Sequence, residues 1–345
     1  MPADFLDALS DAPRLLLEAG LKPSQGDRFQ PTGFADLGAA QYTTPDGRKM
    51  LLVESAQSVA NRLERAVIDG DGVDLQPELK GLPYVRVELT GQGEGVATSS
   101  LVEAHRLNSP FIVTNKEFSS GFLELSGYKK GQVIHWPRAA KAVLHFDPCT
   151  LLHGVFFANI EDGRLRFPRA VTGFIEASDI AEAASGGVKN NHFDPSGEIR
   201  AEGYDKDVYG NVPYSRLEFT ARDIRAYFNI DLAQLRGYQL PAVAQKLLVT
   251  LALYKVRRFL DVGLRLRTAC DLMVKEELTA TAPKGFAVPG TKALLDLVVG
   301  LIAEARKEKG LLATEVLELK TKTVKKAEKE KKGKEKESAD AGEGS

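Results

Sequence analysis

The stretch that decides the fold is residues 40–68, AQYTTPDGRKMLLVESAQSVANRLERAVI. The PDG turn at 45–47 separates two strand-like runs, which is typical of a β-hairpin. Apolar residues then recur with helical spacing over 54–68, and Ser55 stands where a helix N-cap is preferred. The stretch therefore predicts a hairpin followed directly by an amphipathic helix.

Further elements are predicted on both sides of this stretch. The expected strands are 14–21, 84–89 and 263–274, and the expected helices are 98–108, 242–260 and 291–309. A helix from Asp4 onward is the alternative for the first segment. In LRLR, Arg265 and Arg267 alternate with leucines and therefore share one face of a strand.

The middle of the chain, residues 118–219, combines short apolar runs with polar, glycine-rich insertions. Runs such as KAVLHF, LLHGVFF and SRLEFT indicate a β-rich region, and the insertions indicate protruding loops. The order strand, helix, strand, β region, helix, strand predicts an α+β fold with an antiparallel sheet. The ferredoxin-like or RNA-recognition type has this order.

Composition and charge limit the function classes. The chain is 43% hydrophobic and 27% charged, an ordinary globular profile, and its net charge is only −1. From Lys320 onward, however, nine Lys stand against six Asp or Glu with almost no apolar residues. We expect residues 320–345 to be a disordered tail. Any anion-binding surface on the rest of the chain must be local.

Cysteine usage and hydropathy indicate the compartment. Cys149 and Cys270 are too few and too far apart for a disulfide framework or a zinc finger. The N-terminus lacks a basic export signal, and the apolar run 247–253 is too short to span a bilayer. A cytoplasmic protein with no membrane partner is expected.

The most enzyme-like cluster is HFDPCTLLH, residues 145–153. It contains His145, Asp147, Cys149 and His153, all of which are possible metal ligands. Pro148 breaks the strand pattern, and no second ligand pair occurs elsewhere, so a structural turn between two core strands is favoured. Phosphate-loop, dinucleotide, GxSxG and HExxH motifs are absent from the sequence. We expect no cofactor, no metal and no catalytic residue.

Arg, Lys, Asn and Gln residues placed among glycines and aromatics suit a phosphodiester backbone. On the 54–68 helix such residues lie one turn apart, a spacing that also fits a solvated face. The candidate RNA contacts are Lys22, Gln25, Arg28, Phe29, Gln30, Ser55, Gln57, Ser58, Asn61, Arg62, Arg65, His105, Arg106, Lys189, Asn190, Asn191, Arg265 and Arg267.

Six segments, in this order and spacing, resemble a known family. They are RLLLEAGLKPSQGDRFQPTGFADLGAA, MLLVESAQSVANRLE, GLPYVRVE, TSSLVEAHRLNSPFI, HFDPCTLLHGVFFA and SGGVKNN. The sequence is similar to the CRISPR-associated backbone subunit of type I-G (formerly I-U) Cascade complexes, a member of the RAMP superfamily. The resemblance covers residues 13 to 270.

The resemblance implies a palm over residues 1–319 with finger and thumb elements inserted at roughly 110–240. It implies a non-catalytic subunit that binds CRISPR RNA, polymerises head to tail along it, presents guide bases to target DNA and contacts other Cascade subunits. The thumb is either the 186–195 loop or the 194–213 excursion. In the family's first palm helix a Lys-Arg pair grips the guide, and Asn61 and Arg62 occupy that place here.

A second function class stays open at this point. RAMP-type endoribonucleases process precursor CRISPR RNA with a histidine acid or base, and His105, His145 or His192 could take that role. Such enzymes typically carry a glycine-rich loop near the end of their second ferredoxin-like unit. Nothing after Pro241 looks like one.

Overall fold

The structure, a computed structural model, describes residues 3–70, 72–91, 93–203, 210–262 and 264–323. The strands are β1 (Arg14–Pro23), β2 (Gly33–Phe34), β3 (Gly38–Ala39), β4 (Gln41–Thr43), β5 (Lys49–Glu54), β6 (Val85–Thr90), β7 (Ala97–Ser99), β8 (Val155–Phe156), β9 (Arg166–Phe167), β10 (Val171–Lys189), β11 (Val212–Asp231), β12 (Leu264–Arg267), β13 (Cys270–Ala282) and β14 (Leu317–Lys322). The α-helices are α1 (Ala56–Arg65), α2 (Pro110–Val113), α3 (Lys116–Ser126), α4 (Trp136–Phe146), α5 (Pro148–His153), α6 (Leu232–Gly237), α7 (Ala242–Asp261) and α8 (Thr291–Ala305). Within these described ranges, no helix is long and apolar enough to cross a membrane.

The central layer is an antiparallel sheet in the order β12-β13-β1-β11-β10-β5-β4. The four central strands of the sheet and the two helices that connect them follow one another in the chain as β1, α1, β10, β11, α7 and β13. This is the βαββαβ order of a ferredoxin-like fold, and the β4–β5 hairpin extends the sheet at one edge. The predicted α+β fold with a palm of the ferredoxin-like or RNA-recognition type is confirmed.

Helices α1 and α7 cover one face of this sheet. Leu15 and Leu17 of β1 are fully buried, as are Val59 and Leu63 of α1 and Leu251 of α7. The predicted hairpin, both helices and the Ser55 cap are therefore confirmed, with small differences at the ends. The 54–68 stretch decides the fold because its apolar side docks α1 on the sheet.

The opposite, helix-free face of the sheet carries an aromatic pair surrounded by carboxylates. The Phe174 and Tyr227 rings stack with centroids 5.0 Å apart. The Arg225 guanidinium lies within 3.7 Å of three carboxylates, those of Glu18, Asp223 and Glu276. Since carboxylates repel phosphates, this face is electrostatically poor as an RNA platform.

The segment inserted into the palm does not span the expected residues 110–240. It begins directly after α1 and ends at β10, so it spans 66–170. Strand β6, predicted at 84–89, pairs antiparallel with β7 and parallel with β14. Strands β10 and β11, which the expected boundaries assigned to the insertion, belong to the palm.

The prediction of a β-rich middle is wrong for the KAVLHF run and for the first part of LLHGVFF, whose Val155–Phe156 does form strand β8. KAVLHF lies in α4, and Pro148–His153 forms α5, so HFDPCTLLH joins two helices and not two core strands. The Asp147 carboxylate caps α5 by accepting from Cys149 N at 2.8 Å, and Pro148 follows in the first turn. Short apolar runs are compatible with strands and with helices. The Asp147 cap followed by Pro148 is typical of a helix start and explains why this segment is helical.

The predicted helix 98–108 does not form. Its start, Ala97–Ser99, is β7, and a short 3-10 helix, Arg106–Asn108, follows. The Ser99 hydroxyl donates to Val73 O at 2.7 Å, and the Ser100 hydroxyl accepts from Val85 N at 3.2 Å. The hydroxyl groups thus bind neighbouring backbone and do not cap a helix.

Strands β10 and β11 continue beyond the sheet as a two-stranded arm. They pair from Val171↔Ile230 to Lys189↔Val212, whereas β5 pairs with β10 only up to Ser178. The ten pairs from Ile180↔Ala221 to Lys189↔Val212 correspond to an arm of roughly 30 Å, and Phe29 still bridges Phe219 at its base. Both segments considered for the thumb, 186–195 and 194–213, lie at the end of this one arm, with residues 204–209 outside the described residues.

The prediction that a disordered tail starts at Lys320 is wrong for residues 320–322. Residues 320–322 are the last part of β14, which pairs in parallel with β6. The backbone hydrogen bonds of β6 therefore hold this part of the chain in place. Residues 324–345 lie outside the described residues. The predicted last helix is confirmed but ends earlier, at Ala305.

Gly173 of β10 provides a test of the contact between α1 and the palm sheet. A Cβ at this position would lie 2.6 Å from Phe228 Cδ1 and 3.0 Å from Val59 Cγ1. We expect Gly173→Ala to lower the free energy of unfolding by about 1–3 kcal/mol, measured by urea denaturation, because the core is overpacked. Gly237→Ala, where no atom lies within 4 Å, is the control. Equal stability of the two variants would contradict this packing.

Candidate nucleic-acid interface

Helix α1 presents a polar face at the edge of the palm. Its N-terminus is capped by the Ser55 hydroxyl, which accepts from Ser58 N at 3.2 Å. Gln57, Asn61 and Arg65 follow at four-residue intervals and are exposed. Gln57 Nε2 donates to Asn61 Oδ1 at 3.0 Å, so the face is ordered along the helix axis.

A buried carboxylate lies beneath this face. Glu54 is 0% exposed, and its Oε1 accepts from Arg62 Nε at 2.8 Å. The Ser58 hydroxyl and the Arg267 guanidinium also donate to it. Arg62 Nη2 donates further to Leu266 O at 2.6 Å, which ties α1 to β12.

Arg267 completes the buried cluster. Its Nη1 donates to Gln30 O at 3.1 Å and to Val53 O at 3.0 Å. Burial lowers the pKa of the Arg62 and Arg267 side chains from the usual arginine value. Arg62 and Arg267, both predicted as RNA contacts, are therefore already bound within the protein. Their partner is the buried carboxylate of Glu54, which was not predicted from the sequence and which needs cations nearby to compensate its charge.

A cleft of about 590 Å³ runs between α1 and the 101–106 segment. We call it the α1 cleft. It brings together six of the predicted site residues, namely Gln57, Ser58, Asn61, Arg62, Arg65 and Arg106. Ser55, another predicted residue, acts as the helix cap.

Arg106 lines the α1 cleft, and Arg169 lies next to the cleft, bonded to Gln57. Arg106 Nε donates to Glu64 Oε1 at 2.6 Å, and its Nη1 donates to Gly154 O at 2.8 Å. Arg169 Nη2 donates to Gln57 Oε1 at 3.0 Å, and its Nε donates to His153 O at 3.3 Å. Burial and the nearby Arg106 charge lower the pKa of Arg169.

Sequence reasoning missed Arg169. It lies 112 positions from Gln57, in a stretch predicted only as β-rich. The signal that could have found it is RFPR at 166–169, a pair of arginines flanking an aromatic residue and a proline.

A second cleft of about 760 Å³ adjoins the first and shares Ala104 and Arg106 with it. We call it the β8–β9 cleft. The guanidinium of Arg166 lies over the Phe156 ring, 4.1 Å from its centroid. The predicted residue His105 is exposed and lines this cleft.

The other predicted contacts line neither cleft. Phe29 is 1% exposed, and its backbone N donates to Phe219 O at 2.9 Å, so the prediction that it contacts RNA is wrong for this conformation. Its ring fills the core where the arm leaves the palm. The remaining residues are spread over the end of β1 (Lys22), the segment that follows it (Gln25, Arg28, Gln30), the end of the arm (Lys189, Asn190, Asn191) and β12 (Arg265).

The residues of HFDPCTLLH form part of a buried polar network. Lys255 of α7 is 0% exposed, and its Nζ lies 2.9 Å from His153 Nε2. Burial and the Lys255 charge lower the pKa of His153 well below its ordinary value, so the ring is neutral. Among the described residues, no three His, Cys, Asp or Glu side chains are placed to hold a metal ion.

Both cysteines are free and buried, which gives a direct test of this packing. Burial raises the pKa of Cys149 and of Cys270 to about 11. Because the thiolate is the reactive form, we expect no fast reaction with Ellman's reagent at pH 8 in the folded protein. Two thiols should react in denaturant. Rapid labelling of either one without denaturant would contradict the burial.

The first half of the chain, which contains both clefts, is similar to a known protein family. Residues 15–182 match the family model described as "CRISPR-associated protein GSU0053". This segment of the chain is therefore similar to a CRISPR-associated family. It contains every residue that lines the α1 cleft and the β8–β9 cleft. No curated relative matches the chain by sequence.

Two solved structures are similar to this chain. One is a chain of a "CRISPR RNA-guided surveillance complex, pre-nicking", at 12% identity and a TM-score of 0.38, covering 75% of this chain and 73% of that one. The other is Csc2 of Thermofilum pendens, at 10% identity and a TM-score of 0.30, covering 89% of this chain and 78% of that one.

Proposed function

We propose that this chain is a non-catalytic subunit that binds CRISPR RNA and polymerises along it, forming the backbone of a type I-G Cascade complex. The observation that carries the proposal is the α1 cleft. Arg65 and Arg106 line it with the amides of Gln57 and Asn61, and Arg169, which lines the adjoining β8–β9 cleft, donates to Gln57. Guanidinium and amide donors in a row suit successive phosphates of one RNA strand.

The electrostatics of Arg169 support this ligand. Its side-chain hydrogen bonds go to neutral oxygens, those of His153 and Gln57, and not to a carboxylate. Half-burial of this cation costs free energy. The nearby Glu64 carboxylate, which bonds to Arg106, offsets only part of this cost, and a phosphate in the cleft would add to the offset. Arg62 and Arg267, tied to Glu54, act in this proposal as supports that position α1.

The arm supports the assembly part of the proposal. At its end, Phe193 is 82% exposed and Val188 53% exposed, beside the predicted contacts Lys189–Asn191. Exposed apolar side chains of this size suit contact with another copy or another Cascade subunit. The arm would then be the thumb, and guide bases between successive arms would be presented to target DNA.

Nuclease protection tests the proposal. The full chain is mixed with single-stranded RNA and digested, and a parallel sample receives no nuclease. Protected fragments whose lengths increase by a constant step, with intact RNA in the undigested sample, are expected for a repeating subunit. An absence of protection in the presence of the other Cascade subunits would contradict it.

The undigested sample also tests the endoribonuclease alternative. His105, His145 and His192 lie in the β8–β9 cleft, in α4 and at the end of the arm, and so do not form one site. Burial lowers the pKa of His145. A discrete RNA product in the undigested sample, lost in His105→Ala, would identify a nuclease and overturn the non-catalytic proposal.

A further inference from the structure

The β8–β9 cleft differs in chemistry from the α1 cleft. The α1 cleft is lined mainly by amide, hydroxyl and charged groups. The β8–β9 cleft combines an apolar lining with a polar rim. Its apolar lining includes Val155, Phe156, Ala158, Phe167 and Pro168. Arg106, Arg166 and Arg169 also line it, so the cleft offers apolar surface for a flat group together with cations for a phosphate attached to that group.

An aromatic and guanidinium stack forms one wall of the β8–β9 cleft. Phe156 is 43% exposed, and Arg166, itself exposed, lies 4.1 Å above its ring. The pairing of Val155 with Phe167 and of Phe156 with Arg166 fixes the two side chains on neighbouring strands. Both aromatic rings and guanidinium planes stack with nucleobases.

The cleft is lined by three cations, Arg106, Arg166 and Arg169, and by one buried neutral histidine. His153, 2% exposed, lines it, and its neutral ring accepts from Lys255 Nζ at Nε2. The amide side chain of Asn159 and the imidazole of His105, both exposed, lie at the rim, where they can reach the polar edge of a base. Arg106, which borders both clefts, makes the path from the phosphate row into this cleft continuous.

We propose that the β8–β9 cleft binds one unstacked nucleobase of the single-stranded RNA whose phosphates follow the α1 cleft. The inference rests on the proposed RNA-binding function and adds a base site outside the arm. The base stacks against the layer of Phe156 and Arg166. Recognition by stacking is tolerant of sequence, because every base has a π-face.

A thermodynamic cycle between the protein and the RNA tests this site. Affinities of the full chain are measured for an oligouridylate and for an abasic oligomer with the same number of phosphates. Phe156→Ala should weaken binding of the oligouridylate by about 5- to 100-fold and leave binding of the abasic oligomer unchanged. Arg166→Lys, which keeps the charge and removes the plane, should show the same selectivity to a smaller extent. Phe174→Ala, on the helix-free face, is the matched control.

The outcomes separate the base site from the proposed function. If Phe156→Ala weakens both oligomers equally, or weakens neither, the base site is wrong while RNA binding stands. If the unaltered chain binds neither oligomer even at low salt, the proposed function itself fails. Thermal unfolding of each variant shows whether it is folded. If Phe156→Ala does not fold, the test is made with Arg166→Lys, which changes only the protein surface.

Discussion

Glu54→Ala is expected to lower the free energy of unfolding by about 3–5 kcal/mol, because removing one partner of a buried ion pair leaves the other charges uncompensated. The side chain is 0% exposed and accepts hydrogen bonds from Arg62, Arg267 and Ser58. Its loss leaves two half-buried guanidinium groups without a carboxylate. The contacts among α1, β5 and β12 should weaken together.

Urea denaturation followed by circular dichroism measures this change. Asp46→Ala is the matched control, because it also removes a carboxylate bonded to an arginine, Arg48, but one at an exposed hairpin turn. The control should leave the urea midpoint unchanged. If Glu54→Ala shifts the midpoint no more than Asp46→Ala does, the cluster does not stabilise the palm.

The double variant Arg65→Ala/Arg169→Ala is expected to bind single-stranded RNA about 100-fold more weakly at low salt. Each charge-assisted hydrogen bond contributes about 1.5 kcal/mol or more, which corresponds to at least one factor of ten. The loss should be similar for all RNA sequences, because phosphates carry no base information. The slope of log affinity against log salt concentration should become shallower by about 1.4, since two phosphate contacts are removed.

The matched control for this pair is Arg48→Ala/Lys292→Ala. It removes the same total charge at two exposed positions, in the β4–β5 hairpin and in α8, that line neither cleft. A similar loss of affinity in both double variants would mean that only total charge matters. That result would contradict the α1 cleft as the phosphate site.

The parts of the fold that the sequence predicts are those with local signals. The PDG turn, the Ser55 cap and the apolar spacing of 54–68 each lie within a few residues of the element that they specify. Their agreement explains why the hairpin, α1 and the ferredoxin-like order were predictable. KAVLHF was misassigned because a six-residue apolar run fits a strand as well as a buried helix.

The parts of the site that the sequence does not predict depend on contacts between distant residues. Nothing near Arg62 in the sequence indicates that its guanidinium bonds to Leu266 O, 204 positions away. The same holds for Arg169 and Gln57, whose contact links the β8–β9 cleft to the α1 cleft. Local spacing identified the polar face of α1 but could not show which of its cations are occupied by partners within the protein.

Mapping where RNA touches the chain tests most directly whether RNA follows the α1 cleft. Bound single-stranded RNA is cross-linked to the full-length protein with ultraviolet light, and the modified peptides are identified by mass spectrometry. We predict cross-links in 55–65, 101–110 and 154–169, the segments that line the two clefts. Cross-links confined to Phe174 and Tyr227 on the helix-free face of the sheet would contradict the claim that RNA follows the α1 cleft.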